Sequence, residues 1–159
     1  MPTILIHENT FEKARNAIKK HLQSKDKNNS IIFSSDDEDV SRKILEKEKI
    51  NVLLINQKGR KDFQKQRNSG LDNVMAKEAK KSNVVIGINL DEILNSRDRE
   101  KIEIFARIRQ NIELCKKNRL KMVFVSKEKK DLYDLKSLAL VLGMPTWMTS
   151  SLTLELLTD

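Results

Sequence analysis

At 159 residues the chain fits one domain, 1–159, long enough to bury about two-thirds of its unfolded surface around a single core. Hydrophobic content of 38% with 4 Gly and 2 Pro excludes a disordered tail, and no apolar run approaches the roughly 20 residues that cross a bilayer, so no membrane partner is expected. Thirty-one Lys and Arg against 23 Asp and Glu give a net charge of +8, which favours a polyanionic partner.

The run 4–6 reads as a strand, and Thr10 as the N-cap of a helix with Phe11, Ala14, Ala17, Ile18 and Leu22 at helical spacing. Residues 31–33 read as a buried strand, and Ser34, Ser35 and Asp36 offer caps for a helix whose apolar face carries Val40, Ile44 and Leu45. That helix is acidic, with a balance of −3 over residues 36–48. A third strand, 52–55, is followed by a polar stretch, 56–70, far longer than the about 2 to 6 residues usual in such units, and loops of that length tend to be functional or disordered. It is also basic: residues 58–67 hold five bases and one acid. A helix over about 72–82 and a strand over 84–88 come next, then a helix carrying Ile102, Phe105, Ile108, Ile112 and Leu120. Cys115 falls in that helix and reads as a buried packing thiol. The strand 122–125, a basic turn and a helix over about 132–142 complete the pattern, which stops at Gly143 and Pro145. Between Arg107 and Lys130 nine bases face two acids, the second block of positive charge.

Five short apolar strands alternating with helices specify an α/β fold of βαβ units with a parallel sheet covered by helices. Continuous apolar strands suit an open sheet and a curled one equally, but the chain is shorter than the about 250 residues of a complete eight-fold barrel. In either form ligands meet the loops after the carboxyl ends of the strands, so 56–70 and 126–130 are expected to project from the same edge. Nucleic-acid binding needs cationic groups on a surface that follows phosphates, with polar groups to set register. Arg60 and Arg67 offer bidentate grips, and Lys58, Lys61, Lys65, Lys127, Lys129 and Lys130 offer point charges, with Ser69 beside them. Gly70 suits a positive φ or a close backbone approach, and Asp72 suits the N-cap of the next helix.

Arg67-Asn68-Ser69-Gly70-Leu71-Asp72-Asn73-Val74-Met75-Ala76, with the strand 84–88 and Asn89 after it, resembles the protein component 3 family of archaeal ribonuclease P. The family reads arginine-polar-Ser-Gly-hydrophobic-Asp-His-Val-Leu-Ala there, and Asn73 replaces its histidine. The likeness continues through Arg109-Gln110-Asn111-Ile112, the strand 122–125, Ser126, Tyr133-Asp134-Leu135 and Val141-Leu142-Gly143-Met144. After Ser126, Lys127, Glu128, Lys129 and Lys130 replace a more glycine-containing family segment. The resemblance implies a partial or truncated TIM-type barrel lacking the family's opening strands. It further implies a non-catalytic subunit that assists a catalytic RNA in removing the 5′ leader of precursor tRNA; a cytoplasmic location is expected from the first residues, which lack the basic start and small-residue cleavage site of a secretory signal, and from the single cysteine. The partners it implies are the ribonuclease P RNA, protein component 2 and the other protein subunits. No cofactor is expected on this chain, with Mg²⁺ serving the RNA. The apolar tail with Trp147, Met148 and Leu152 is either core packing or the contact with the partner subunit.

Two other classes fit less of the chain. A metal-dependent phosphoesterase needs clustered ligands, yet there are two histidines, His7 ending the first strand and His21 on a helix, and the acidic runs 36–39 and 91–92 suit helix caps or solvent. A basic α/β module that binds only protein would use the same loops without RNA.

Overall fold

The computed structural model describes residues 3–24 and 29–157. Its strands are β1 (Thr3–His7), β2 (Ser30–Ser34), β3 (Val52–Ile55), β4 (Val85–Asn89), β5 (Met122–Ser126) and β6 (Leu154–Leu156). All neighbours pair in parallel, in sequential order from β1 to β6. Between them run α1 (Phe11–Gln23), α2 (Glu38–Lys47), α3 (Asn73–Lys81), α4 (Leu90–Asn95), α5 (Asp98–Lys117), α6 (Leu132–Leu142) and α7 (Thr146–Thr149). Right-handed crossovers between sequential parallel strands place the connecting helices on one face of the sheet. The main core lies there, where Ile31, Phe33, Leu53, Ile86 and Phe124 of the strands meet Ile18, Ile44, Met75 and Ile112 of the helices.

The opposite face has no helix, and the sheet curls to bury it. Ile32, Val52, Leu54, Val123 and Val125 fill the inside of the curl, with Val85 and Leu157 against them. Gly87 lies on this inner face, where a Cβ would stand 3.0 Å from Val52 Cγ1 and 3.3 Å from the Leu54 backbone, so a side chain would push the strands apart. The curl brings the sheet's two edges together: the Thr3 hydroxyl donates to Glu155 Oε2 at 3.1 Å. The expected parallel α/β partial barrel is therefore present as a curled half-barrel.

Several local features depart from the sequence reading. β6 lies in what reads as an apolar tail, because three residues carry too little periodicity to register as a strand. The short helices α4 and α7 escape the same test. α5 ends at Lys117, so Leu120 belongs to the turn before β5, and Ile102 is turned outward at 68% exposure. The cap of α2 is Asp37, whose carboxylate accepts from the N–H groups of Asp39 and Val40. No helix among the described residues is long and apolar enough to cross a membrane.

Candidate nucleic-acid interface

The carboxyl ends of the strands open into a mouth of about 350 Å³, lined by Leu5, Leu54 and Leu157 together with His7, Ser34, Asn56, Asn89, Asp91 and Glu92 and the two cations Lys58 and Lys127. The two basic loops thus meet at one edge. Helix α4 joins them. Asn89 caps it by accepting from the Glu92 N–H at 3.2 Å, and its amide donates to Asn56 Oδ1 at 2.8 Å. In the first turn, Asp91 accepts from the Ser126 hydroxyl at 2.7 Å and the Lys127 N–H at 3.0 Å. Glu92 accepts from the N–H groups of Gln57 at 2.7 Å and Lys58 at 3.2 Å. Burial raises the Glu92 carboxyl above its ordinary value, against the pull of those two N–H groups and of Arg60 and Lys58. The run Asp91-Glu92, read from sequence as a cap or a solvated pair, is a staple between loops.

The 56–70 loop is held from below by α5. The Arg107 side chain is 5% exposed and spreads its guanidinium over three partners: Asp62 Oδ1 at 3.1 Å, the Gln57 carbonyl at 3.3 Å and the Arg60 carbonyl at 2.9 Å. One turn on, the amide of Asn111 donates to the Ser69 carbonyl at 2.9 Å, as does that of Gln57 at 2.8 Å. Gln110 donates to the Arg67 carbonyl at 3.3 Å and to the Ser69 hydroxyl at 3.2 Å. Asp62 in turn accepts from the Asn68 N–H at 3.0 Å; that bond, with Arg107, holds its carboxyl below the usual range. Gly70, at φ 77°, closes the loop where a Cβ would fall 2.5 Å from Arg60 Nη2 and 2.7 Å from Ile55 Cγ2. Asp72 caps α3 through the Met75 N–H at 2.8 Å and pairs with Arg42 at 2.6 Å.

This frame sorts the candidate cations. Lys58, Lys61, Lys65 and Arg67 are exposed and make no ion pair among the described residues. Lys127 and Lys129 are likewise exposed, while Lys130 reaches Glu128 at 3.2 Å. Arg60 and Ser69 are turned inward instead. The Arg60 side chain is 13% exposed; it donates to the Asn56 carbonyl at 2.6 Å and pairs with Glu38 at 3.0 Å, and burial lowers its pKa despite Glu38. Ser69 is 2% exposed. Arg60 is a loop clamp rather than the outward phosphate grip its sequence position suggested, because its guanidinium is spent on Glu38 and the loop backbone. Across a cleft of about 810 Å³ the loop faces Asp36, Asp37, Glu38 and Asp39. Lys58 and Lys61 line that cleft opposite the carboxylates, so the cationic surface that faces away from the acidic wall is the outer one. There Arg67 and Arg109 border a groove of about 650 Å³ on α5, and Arg109 is a candidate that the sequence reading placed only in a motif.

The tail contributes no contact surface through Met148 and Leu152, which are 1% and 2% exposed within the core. Trp147 packs half-buried against that core, with the Arg119 guanidinium 5.6 Å over its ring. Apolar side chains instead emerge from α6, where Tyr133, Leu140 and Val141 are 80%, 49% and 72% exposed. His7 bonds Ser34 Oγ at 2.7 Å and faces Asp36 at 3.4 Å. No group of three His, Cys, Asp or Glu side chains among the described residues could hold a metal. Cys115 is buried, which pushes its thiol up to about 12 and keeps it from acting as a thiolate.

No family model matches the chain. It is 33% identical over 107 residues to ribonuclease P protein component 3 of Methanosarcina mazei, covering 67% of this chain and 41% of that protein. Against the same component of Methanosarcina acetivorans it is 32% identical over 133 residues, 84% of this chain and 51% of that protein. Against that of Methanococcus maripaludis it is 26% identical over 131 residues, 82% and 51%. The chain spans about half the length of the curated relatives it matches. A chain in a cryo-EM structure of archaeal ribonuclease P with mature tRNA has the same fold, with a TM-score of 0.76 at 24% identity over 92% of this chain and 62% of that one.

Proposed function

Over the part of its relatives that it spans, the chain belongs to the ribonuclease P protein component 3 family, and from that premise we propose that it is a non-catalytic subunit of ribonuclease P. It binds the phosphates of the ribonuclease P RNA and so assists that RNA in removing the 5′ leader of precursor tRNA. The observation that carries the reading is the 56–70 loop: Lys65 and Arg67 on its outer face and Lys61 on the rim of the acidic cleft are exposed and make no ion pair among the described residues, on backbone fixed by Arg107, Gln110 and Asn111. A preorganised loop loses little freedom on binding, so its charges act together on a phosphate backbone. Lys127 and Lys129 extend the same edge. Phe63, 54% exposed within the loop, and Tyr133, 80% exposed just after residues 126–130, stand beside these cations, so a base can stack there in addition to the phosphate contacts.

The exposed apolar side chains of α6 favour that helix as the contact with another protein subunit, protein component 2 being the partner we assign to it. Mg²⁺ serves the RNA in this reading, and the protein chain holds none.

The test is reconstituted precursor-tRNA cleavage at limiting Mg²⁺, with the ribonuclease P RNA and the other protein subunits. Wild type restores cleavage, and Lys61→Ala/Lys65→Ala/Arg67→Ala does not while keeping its fold by circular dichroism. A wild-type chain that neither binds that RNA nor aids cleavage ends the proposal.

A further inference from the structure

The positive block read as one run between Arg107 and Lys130 is divided by the fold. Arg107 is buried and Lys127 to Lys130 stand at the mouth, but Lys116, Lys117, Arg119 and Lys121 lie at the opposite, amino-terminal edge of the sheet, where α5 ends and β5 begins. The turn from α3 into β4 brings Lys80 and Lys81 to the same edge, and Lys80 Nζ donates to the Arg119 carbonyl at 2.9 Å. Lys80, Asn83, Arg119 and Lys121 surround a recess of about 60 Å³. All six cations are exposed. Of these two turns' acids, Glu78 lies 3.8 Å from Lys81, and none lies between Lys116 and Lys121.

Lysines in the last turn of a helix answer its dipole, which accounts for Lys80, Lys81, Lys116 and Lys117. It does not account for Arg119 and Lys121, which lie beyond the end of α5. The backbone sharpens the point. Three helices end at this edge in the same turn: Asn83 N–H to the Lys80 carbonyl with Val84 to Ala79, Arg119 to Lys116 with Leu120 to Cys115, and Gly143 to Leu140 with Met144 to Ala139. Each central residue has positive φ, 57°, 56° and 108°. Gly and Asn suit that conformation and arginine does not, so the chain tolerates backbone strain to keep a guanidinium there. Trp147 beneath the guanidinium fixes its direction.

We propose that this amino-terminal edge is a second face for the phosphate backbone of RNA, so that one chain bridges two RNA segments on opposite ends of its sheet. The inference rests on the RNA-binding reading above and adds to it the second face and the bridging. The five-residue strands between the faces span about 16 Å, which sets the minimum separation of the two segments.

The experiment uses two short RNA duplexes, one biotinylated and one fluorescent, with the full chain at concentrations where it sediments as a monomer. Wild type carries the fluorescent duplex onto streptavidin beads. Lys116→Gln/Arg119→Gly/Lys121→Gln still binds one duplex, loses the bead signal, and shows a salt dependence of binding shallower by about 2 to 3 in log–log slope. Arg119→Gly alone keeps its melting temperature, since glycine relieves the strained φ while the contact with Trp147 is lost, and weakens capture. Capture unchanged in the triple variant, or single-duplex binding without capture by wild type, overturns the bridging and leaves the loop face standing. Failure of wild type to bind any RNA overturns both.

Discussion

Arg107 and Arg60 are alike in sequence and opposite to Lys65 and Arg67 in use. Both guanidiniums are withdrawn from solvent and spent on loop carbonyls and carboxylates, so they set the shape of the surface that the exposed cations occupy. Arg107→Ala strips donors from two carbonyls that pack against it and is expected to destabilise the fold by about 2 to 4 kcal/mol, read as a lowered urea midpoint at unchanged slope. The glycines separate in the same way. Gly70→Ala meets both a positive φ and the Arg60 guanidinium, and is expected to cost about 2 kcal/mol or more. Gly59→Ala, at φ 75° but in open space, is expected to cost about 1 kcal/mol. Equal costs at the two positions would remove the clamp from the account of Gly70.

At the scale of elements, the 56–70 loop depends on α4 and α5 for its order, through two carboxylates that respond oppositely to acid. The Asp62 carboxyl is depressed by the Asn68 N–H and Arg107, so its contribution is complete above the ordinary aspartate range and is lost as pH falls through the lowered folded value. The Glu92 carboxyl is raised by burial, so protonating it favours the folded state as pH falls through that raised value. Acid release of the loop therefore follows Asp62. Pepsin is expected to leave the exposed Phe63 uncut until the pH drops below the usual carboxylate range, and to cut Asp62→Asn there at every acidic pH tested. Cleavage of wild type already at the ordinary aspartate pKa would show that the tether is not Asp62.

For the whole molecule, charge is arranged by edge. The mouth carries the two basic loops beside an acidic wall at 36–39, the amino-terminal edge gathers six exposed cations beside Glu78, and the helices keep the apolar interior between them. Removing Lys61, Lys65 and Arg67 together is expected to reduce the log–log salt slope of binding to the ribonuclease P RNA by about 2 to 3, one counterion set per phosphate contact. A slope unchanged by the triple substitution would move the RNA face elsewhere on the chain.

The strands at 31–33, 52–55 and 122–125 were legible because strands of a parallel sheet are covered on both faces and read as unbroken apolar runs, and Gly70 and Asp72 because a positive φ and a helix cap are local demands. The family motif and the excess of positive charge are likewise properties of the chain as written. Which cations face solvent was not legible. Arg60 finds Glu38 22 residues away and Arg107 finds Asp62 45 away, and a guanidinium reads the same in sequence whether it points in or out. The curl of the sheet, the division of the second basic block between two edges and the burial of Met148 and Leu152 were decided by packing between distant segments, where hydrogen bonding and apolar burial depend on which surfaces meet.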